Sequence, residues 1–333
     1  MLKIRDLTVE IGPYKIVSIE ELDIPTGRRL GIVGESGSGK TLTAMSLAGL
    51  QPRDARLSGS VELDGQELVR LPAKQLARLR GTHIGVIFQD PHRALNPTMK
   101  IGRQVAEALR LRGGMSRAAI KQHVYELLDM VQLPNPSRLA RRYPHQLSGG
   151  QQQRVLIATA IACEPKLLIA DEPTTALDVT VQKEILELLV RLSDERDVTL
   201  IFVSHDLGVV RAVSDHVAVL YGGHLVETGP ADVVIDHSHH RYTEALIAAN
   251  PGQTAPDEVE ARLGERLEII RGSVPPLGGF PSGCRFRGRC DFEIDRCAEP
   301  PQITRAEGEH RFKCWNPAQH SPAQEGEADA FAG

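Results

Sequence analysis

Gly31-Ile-Val-Gly-Glu-Ser-Gly-Ser-Gly-Lys-Thr41 places a glycine-rich turn between an apolar strand, Arg29 to Val33, and a helix. Gly34, Gly37 and Gly39 can take backbone angles closed to other residues. Successive N–H groups, those of Ser36 and Ser38 among them, then converge on phosphate oxygens at a helix N-terminus, where the dipole favours negative charge. The spacing Gly34-x4-Gly39-Lys40-Thr41 fills every fixed position of the P-loop pattern. It gives Lys40 to the β- and γ-phosphates of a nucleotide and the Thr41 hydroxyl to Mg²⁺. A glycine turn that merely links two elements is the bland alternative, and the strand on one side with the helix on the other argues against it.

The 333 residues suffice for one large domain and a small one. A charged fraction of 25% with a net charge of −4 gives no sign of a basic nucleic-acid face or of a disordered chain. Lys3-Ile-Arg-Asp-Leu7 lacks the character of a signal peptide, and no run approaches the ~18 apolar residues of a membrane span. A soluble, cytoplasmic chain that can still dock on a membrane complex is expected.

Strand patterns with turns at Gly12-Pro13 and Pro25-Thr-Gly27 lead into the glycine loop, and residues 59–70 read as a further strand pair turning at Asp64-Gly65. After Thr41 the pattern is helical, with Leu42, Met45 and Leu50 on one face. His83 to Phe88 is a strand ending at Gln89. Ile101, Val105 and Ala108, then Ile120, Val124, Leu127, Leu128 and Val131, predict helix from about Ile101 to Leu133, within a helical insertion spanning about 92–150. Lys166 to Ala170 and Thr199 to Val203 are buried strands around a helix carrying Val181, Ile185, Leu188, Leu189 and Leu192. Val217 to Val226 reads as a hairpin turning at Gly222-Gly223. Strands alternating with helices imply an α/β fold with a mainly parallel open sheet, whose ligands sit at the carboxyl ends of the strands.

Chemistry gathers at those ends. Asp171, at the tip of an apolar strand, is placed to hold Mg²⁺, and Glu172 beside it to orient an attacking water. His205 follows a second strand and can reach a γ-phosphate or that water. Ser148 is suited to cap a helix whose first residues, Gly149, Gly150 and Gln151, offer a second set of anion donors. One chain has no evident need of two such helix ends, so the second is assigned to a partner's nucleotide.

Taken together, Gly34 to Thr41, Gln89, Leu147 to Gln151, Leu167 to Glu172, Ala176-Leu-Asp178 and His205 resemble, in order and spacing, the ATP-binding cassette of ABC transporters, over about residues 1–250. The resemblance implies an ABC-type P-loop NTPase with a mainly parallel core sheet, an antiparallel β subdomain and a helical subdomain. ATP would lie between the P-loop of one cassette and the Ser148-Gly-Gly150 signature of another, with Asp178 linking the two sites. Gln89 would join the Mg²⁺ and nucleotide shell and couple it to the membrane subunits.

Ile87-Phe-Gln-Asp-Pro91, Leu95-Asn-Pro97, Tyr143-Pro-His-Gln-Leu147, Tyr242-Thr243 and the tail from Gly272 to Cys297 are similar to the ATPase subunits of oligopeptide and dipeptide importers. This implies an ATP hydrolase peripheral to the cytoplasmic face of the cell membrane, driving peptide import. Its partners would be a second, sister cassette, two transmembrane permease subunits and an extracytoplasmic binding protein. The runner-up keeps the machine and carries nickel or another small solute. A soluble non-transport cassette protein of translation or DNA repair is disfavoured by the single P-loop and the lack of sustained heptads. A metal-binding regulator would leave the cassette without a purpose. Three positions depart from the family: the adenine-stacking aromatic falls near Ile11, with Tyr14 the nearest substitute; Gln152 stands where arginine is frequent; Arg241 replaces the proline that usually precedes the tyrosine.

Beyond Asn250 prolines interrupt every long element, so residues 251–318 read as a linker and a loop-rich extension, and 319–333 as a disordered tail. Of five cysteines, four (Cys284, Cys290, Cys297 and Cys314) crowd into this extension. A reducing compartment disfavours disulfides, and a small loop-rich segment needs a staple, so one metal centre is expected. Gaps of five, six and sixteen residues lack the close pair usual in structural zinc sites and suit a [4Fe–4S] cluster, as the family resemblance also implies; zinc is the rival.

Overall fold

The computed structural model describes residues 1–175, 177–250 and 269–319. Ala176, the prolines of the expected linker at 251 and 256, and the expected tail from 320 onward lie outside the described residues.

From the N-terminus, β1 (Leu2–Ile11) and β2 (Tyr14–Ile24) form a hairpin around Gly12-Pro13, β3 (Arg29–Val33) runs into the glycine loop, and α1 (Lys40–Leu47) leaves it. β4 (Ala55–Leu63) pairs antiparallel with β1, and β5 (Gln66–Glu67) follows the Asp64-Gly65 turn at that edge. After α2 (Ala73–Arg80) comes β6 (Ile84–Ile87), then the helical insertion: α3 (Pro91–Ala94), α4 (Ile101–Arg112), α5 (Arg117–Met130), α6 (Pro136–Leu139) and α7 (Gly149–Ile161). β7 (Leu167–Asp171), α8 (Val179–Arg196), β8 (Thr199–Val203), α9 (Leu207–Val213), β9 (His216–Tyr221) and β10 (His224–Pro230) complete the alternation, followed by α10 (Ala231–Asp236) and α11 (Arg241–Ala248). The extension adds β11 (Thr304–Arg305) and β12 (Arg311–Phe312).

One sheet holds all of these strands, in the order β5-β4-β1-β2-β10-β9-β3-β8-β7-β6, with β12 also beside β10 and β11 beside β12. β9, β3, β8, β7 and β6 are parallel and β5, β4, β1 and β2 antiparallel. Every residue of β7 and β8 is buried, as a sheet covered on both faces requires. Alternate residues feed two cores: Leu200 and Phe202 pack with α7, α8 and the helical insertion, whereas Ile201 and Val203 pack with α1 and the antiparallel strands.

Two details differ from the periodic reading. Residues 101–133 form two helices, because Gly113 and Gly114 take φ of 76° and 77° and Ser116 caps a new start by accepting from the Ala119 N–H at 3.2 Å. Leu109 rather than Ala108 is the fully buried residue in the last turns of α4. Leu50 lies past the end of α1 and is exposed; Ala44, Leu47 and Ala48 carry the buried face instead.

The extension docks on the cassette at several separate points. β12 pairs antiparallel with β10, and the buried carboxylate of Glu227 accepts from the His239 and His240 N–H groups at 2.6 and 3.1 Å and meets His310 Nε2 at 2.7 Å. Phe286 is buried against the rings of Tyr221 and Tyr242, with centroids 5.2 and 5.3 Å away. Such aromatic contacts contribute about 0.5–1.5 kcal/mol beyond the area they bury. Arg241 donates to the carbonyls of Asn316 and Pro317 at 3.0 and 3.1 Å and lies 3.8 Å from the Phe292 ring centre, so this departure from the family's proline is a clasp on the extension.

Candidate nucleotide site

β3 sits between β8 and β9, and the chain leaving it turns sharply at Gly34 (φ 148°), Gly37 (φ 80°) and Gly39 (φ 92°). A Cβ on Gly34 would come within 2.1 Å of the Leu220 carbonyl, so the loop must be glycine here. Lys40 is buried, its ammonium donating to the carbonyls of Gly34 and Glu35 at 2.8 and 3.0 Å. Burial lowers its pKa, while Glu172, Asp171 and Glu35 work to raise it. Ser38 Oγ is buried without a hydrogen-bond partner, a donor at the base of the loop with its capacity unused.

At the end of β7, Thr41 Oγ1 donates to Asp171 Oδ1 at 3.0 Å. Burial raises the Asp171 pKa; the Thr41 bond opposes this and Glu172 adds to it. Two hard oxygen donors side by side fit Mg²⁺, with Gln89 across the cleft. Glu172 has φ 43°, a strained value for a residue with a side chain. Its Oε2 accepts from Gln89 Nε2 and Thr175 Oγ1, each at 3.0 Å, and its Oε1 lies 3.5 Å from His205 Nδ1. Ser36, Gly37, Gly39, Lys40, Thr41, Gln89, Glu172 and His205 thus line one open cleft of about 850 Å³.

The cleft's apolar side is Ile11, Ile16 and Met45. Tyr14 is not among its walls; the ring packs over Gly278 of the extension, where a Cβ would come within 2.7 Å of it. The substitute aromatic expected for a base is therefore turned to another use, and branched aliphatic side chains stand in its place.

Ser148, Gly149, Gly150 and Gln151 lie away from these walls. Ser148 and Gln151 form a reciprocal capping box at the start of α7, each side chain accepting from the other's N–H at 3.3 Å. Gly150 abuts α8: a Cβ there would meet Val181 Cγ1 at 2.6 Å. Asp178 caps α8 by accepting from the Val181 N–H at 3.0 Å, so the two helix starts brace each other. Gln152, the second departure, is buried and donates to the carbonyls of Pro144 and Leu147, holding the turn ahead of the capping box.

In the extension the four thiols come within electrostatic reach of one another. Burial pushes Cys284 and Cys290 each up to about 11, with the neighbouring cysteines adding to the rise, while backbone N–H groups at Phe286, Arg287 and Phe292 counter it. Among the described residues no group of three or more His, Cys, Asp or Glu side chains is arranged to hold a metal ion as it stands.

Residues 18–175 match the family described as ABC transporter, and residues 226–297 the family described as oligopeptide/dipeptide transporter, C-terminal region. A protein of Brucella abortus (strain 2308) named for peptide import and ATP binding is 44% identical over 319 residues, 94% of either chain. The chain belongs to the ABC transporter ATP-binding subunits. The dipeptide transport ATP-binding protein DppD of Escherichia coli (strain K12) is 40% identical over 95% of this chain and 97% of its own. Among solved structures, the ATP-binding cassette MJ0796, dimeric and bound to ADP and Pi, matches with TM-score 0.62 at 32% identity, covering 69% of this chain and 99% of that one.

The electrostatics of Asp171 carry a testable consequence. Because burial raises its pKa, its charge costs stability fully above the raised value, and this cost disappears as pH falls through the unfolded carboxylate's value of about 3.9. Asp171→Asn is therefore expected to raise the urea midpoint of the ligand-free chain at pH 8, with the gain shrinking toward pH 4.

Proposed function

We propose that this chain binds Mg·ATP in the Lys40 cleft and hydrolyses it at an interface with a second cassette, driving import of peptides through partner permeases. The observation that carries the reading is the placement of Glu172 at the lip of the P-loop, held by Gln89, Thr175 and His205, with the Ser148 helix start outside the same cleft. In this reading Gly34 to Thr41 cradle the phosphates, Lys40 leaves its backbone carbonyls for them, and Thr41, Asp171 and Gln89 hold Mg²⁺, which neutralises phosphate charge when bound. Glu172 orients the attacking water and His205 steadies Glu172 and meets the γ-phosphate. Ser148, Gly149, Gly150 and Gln151 serve the partner's nucleotide, and Asp178 joins the two sites.

A cytoplasmic, membrane-peripheral placement follows from docking on permeases; among the described residues no helix is long and apolar enough to cross a membrane. The cleft of about 350 Å³ beneath the helical insertion, with exposed Leu50, Phe88 and Leu111 at its walls and Gln89 next in the chain, suits a permease segment. An extracytoplasmic binding protein would deliver the peptide.

The glutamate role is tested by Glu172→Gln in the assembled transporter. It is expected to keep ATP affinity near that of the unaltered chain while turnover falls about 10²-fold or more, measured by phosphate release; unchanged turnover at this cassette's site would remove Glu172 from the role.

The four-cysteine extension is proposed to hold a [4Fe–4S] cluster. Its support is that the four thiols lie within electrostatic reach of one another, with backbone N–H groups facing the sulfurs. Anaerobic purification should give a brown protein absorbing near 400 nm with about four irons per chain. A colourless chain carrying one zinc would decide for the rival.

A further inference from the structure

A phosphate cradle has no evident use for a carboxylate, yet Glu35 is the second residue of this one, and its carbonyl is one of the two that hold the Lys40 ammonium. The extension answers that charge. Arg289, a guanidinium with a side chain only 7% exposed, forks onto Glu35, Nη1 to Oε2 at 2.8 Å and Nη2 to Oε1 at 3.0 Å. The fork is itself fixed: Nε donates to the Arg271 carbonyl at 2.7 Å, Nη1 reaches the Tyr221 hydroxyl at 3.2 Å, and the plane lies 5.7 and 5.9 Å from the Tyr221 and Phe286 ring centres. The Glu35 N–H donates to the Tyr242 hydroxyl at 2.7 Å, so side chain and backbone of this residue are both held from outside the loop. Burial works against the charged guanidinium, and the bonds to Glu35 and Tyr221 more than offset it.

We infer that Arg289 is a positioning residue for nucleotide binding: it draws the Glu35 carboxylate out of the phosphate cradle and neutralises it, so that Lys40 is left to the phosphates. Without the guanidinium, Glu35 is a half-buried anion beside Lys40, where it competes with the polyphosphate for the same ammonium and repels it. A bidentate fork both fixes and neutralises a carboxylate; a lysine at the same place neutralises it without fixing it. The extension thus contributes to ATP affinity through one ion pair spanning 254 positions of sequence.

This rests on the nucleotide-site reading, and the experiment separates the two. Binding of the non-hydrolysable analogue AMP-PNP with Mg²⁺ to the full chain is measured by titration calorimetry. Arg289→Ala should weaken it about tenfold, and the same change on a Glu35→Gln background by less than about twofold, because the charge to be neutralised is gone. Arg289→Lys should fall between, at about threefold, and carries the comparison should Arg289→Ala not fold. A merely structural arginine would weaken binding equally on both backgrounds, and that result, or unchanged affinity in both Arg289 variants, overturns the inference. Lys40→Ala is the control: retained binding there overturns the nucleotide-site reading itself.

Discussion

A buried ammonium governs this molecule. Lys40 sits at the carboxyl edge of the parallel strands, held by two backbone carbonyls and facing Asp171 and Glu172. Holding a cation there requires glycines whose backbone can fold around it and strands buried on both faces to fix the loop. It also requires helices covering those faces, which is why β7 and β8 are wholly buried and why the helical insertion and the antiparallel strands take opposite cores. The acids at the end of β7 complete the arrangement: a carboxylate made costly by burial and bonded to Thr41 is placed for a divalent cation, and the ligand-free chain bears that cost.

The extension reads as a brace on this centre. Its β12 joins β10, its Phe286 enters the core against the paired rings of Tyr221 and Tyr242, and Arg241 and Arg289 tie it at two further points, the second of them in the P-loop. Tyr242 belongs to both systems, its ring packing on Phe286 and its hydroxyl oxygen accepting from the Glu35 N–H. The extension thus reaches the loop through short, buried contacts.

Much of the cleft is legible in the chain because its chemistry is local: glycines at fixed spacing and an acid pair after an apolar run. The parallel strands were legible because both faces are apolar. What could not be read arises from distance in sequence. Nothing at Arg289 announces Glu35, nor does Tyr14 announce Gly278. The break between α4 and α5 falls at Gly113-Gly114, which the apolar period on either side does not show. Leu50 matched that period and yet lies beyond the end of α1, since periodicity marks a face without marking where the helix stops. Arg241 and Gln152 looked like departures, and each proves to hold a turn or a clasp in place.

The P-loop cleft and the Ser148 helix start lie apart on this chain, and the proposed function has them act only when cassettes meet. Phosphate release per chain should be compared for the purified full-length protein, held monomeric during turnover, and for the assembled transporter. Little hydrolysis by the monomer and a steep rise on assembly are expected; a monomer turning over ATP as fast as the complex would show that one cassette suffices.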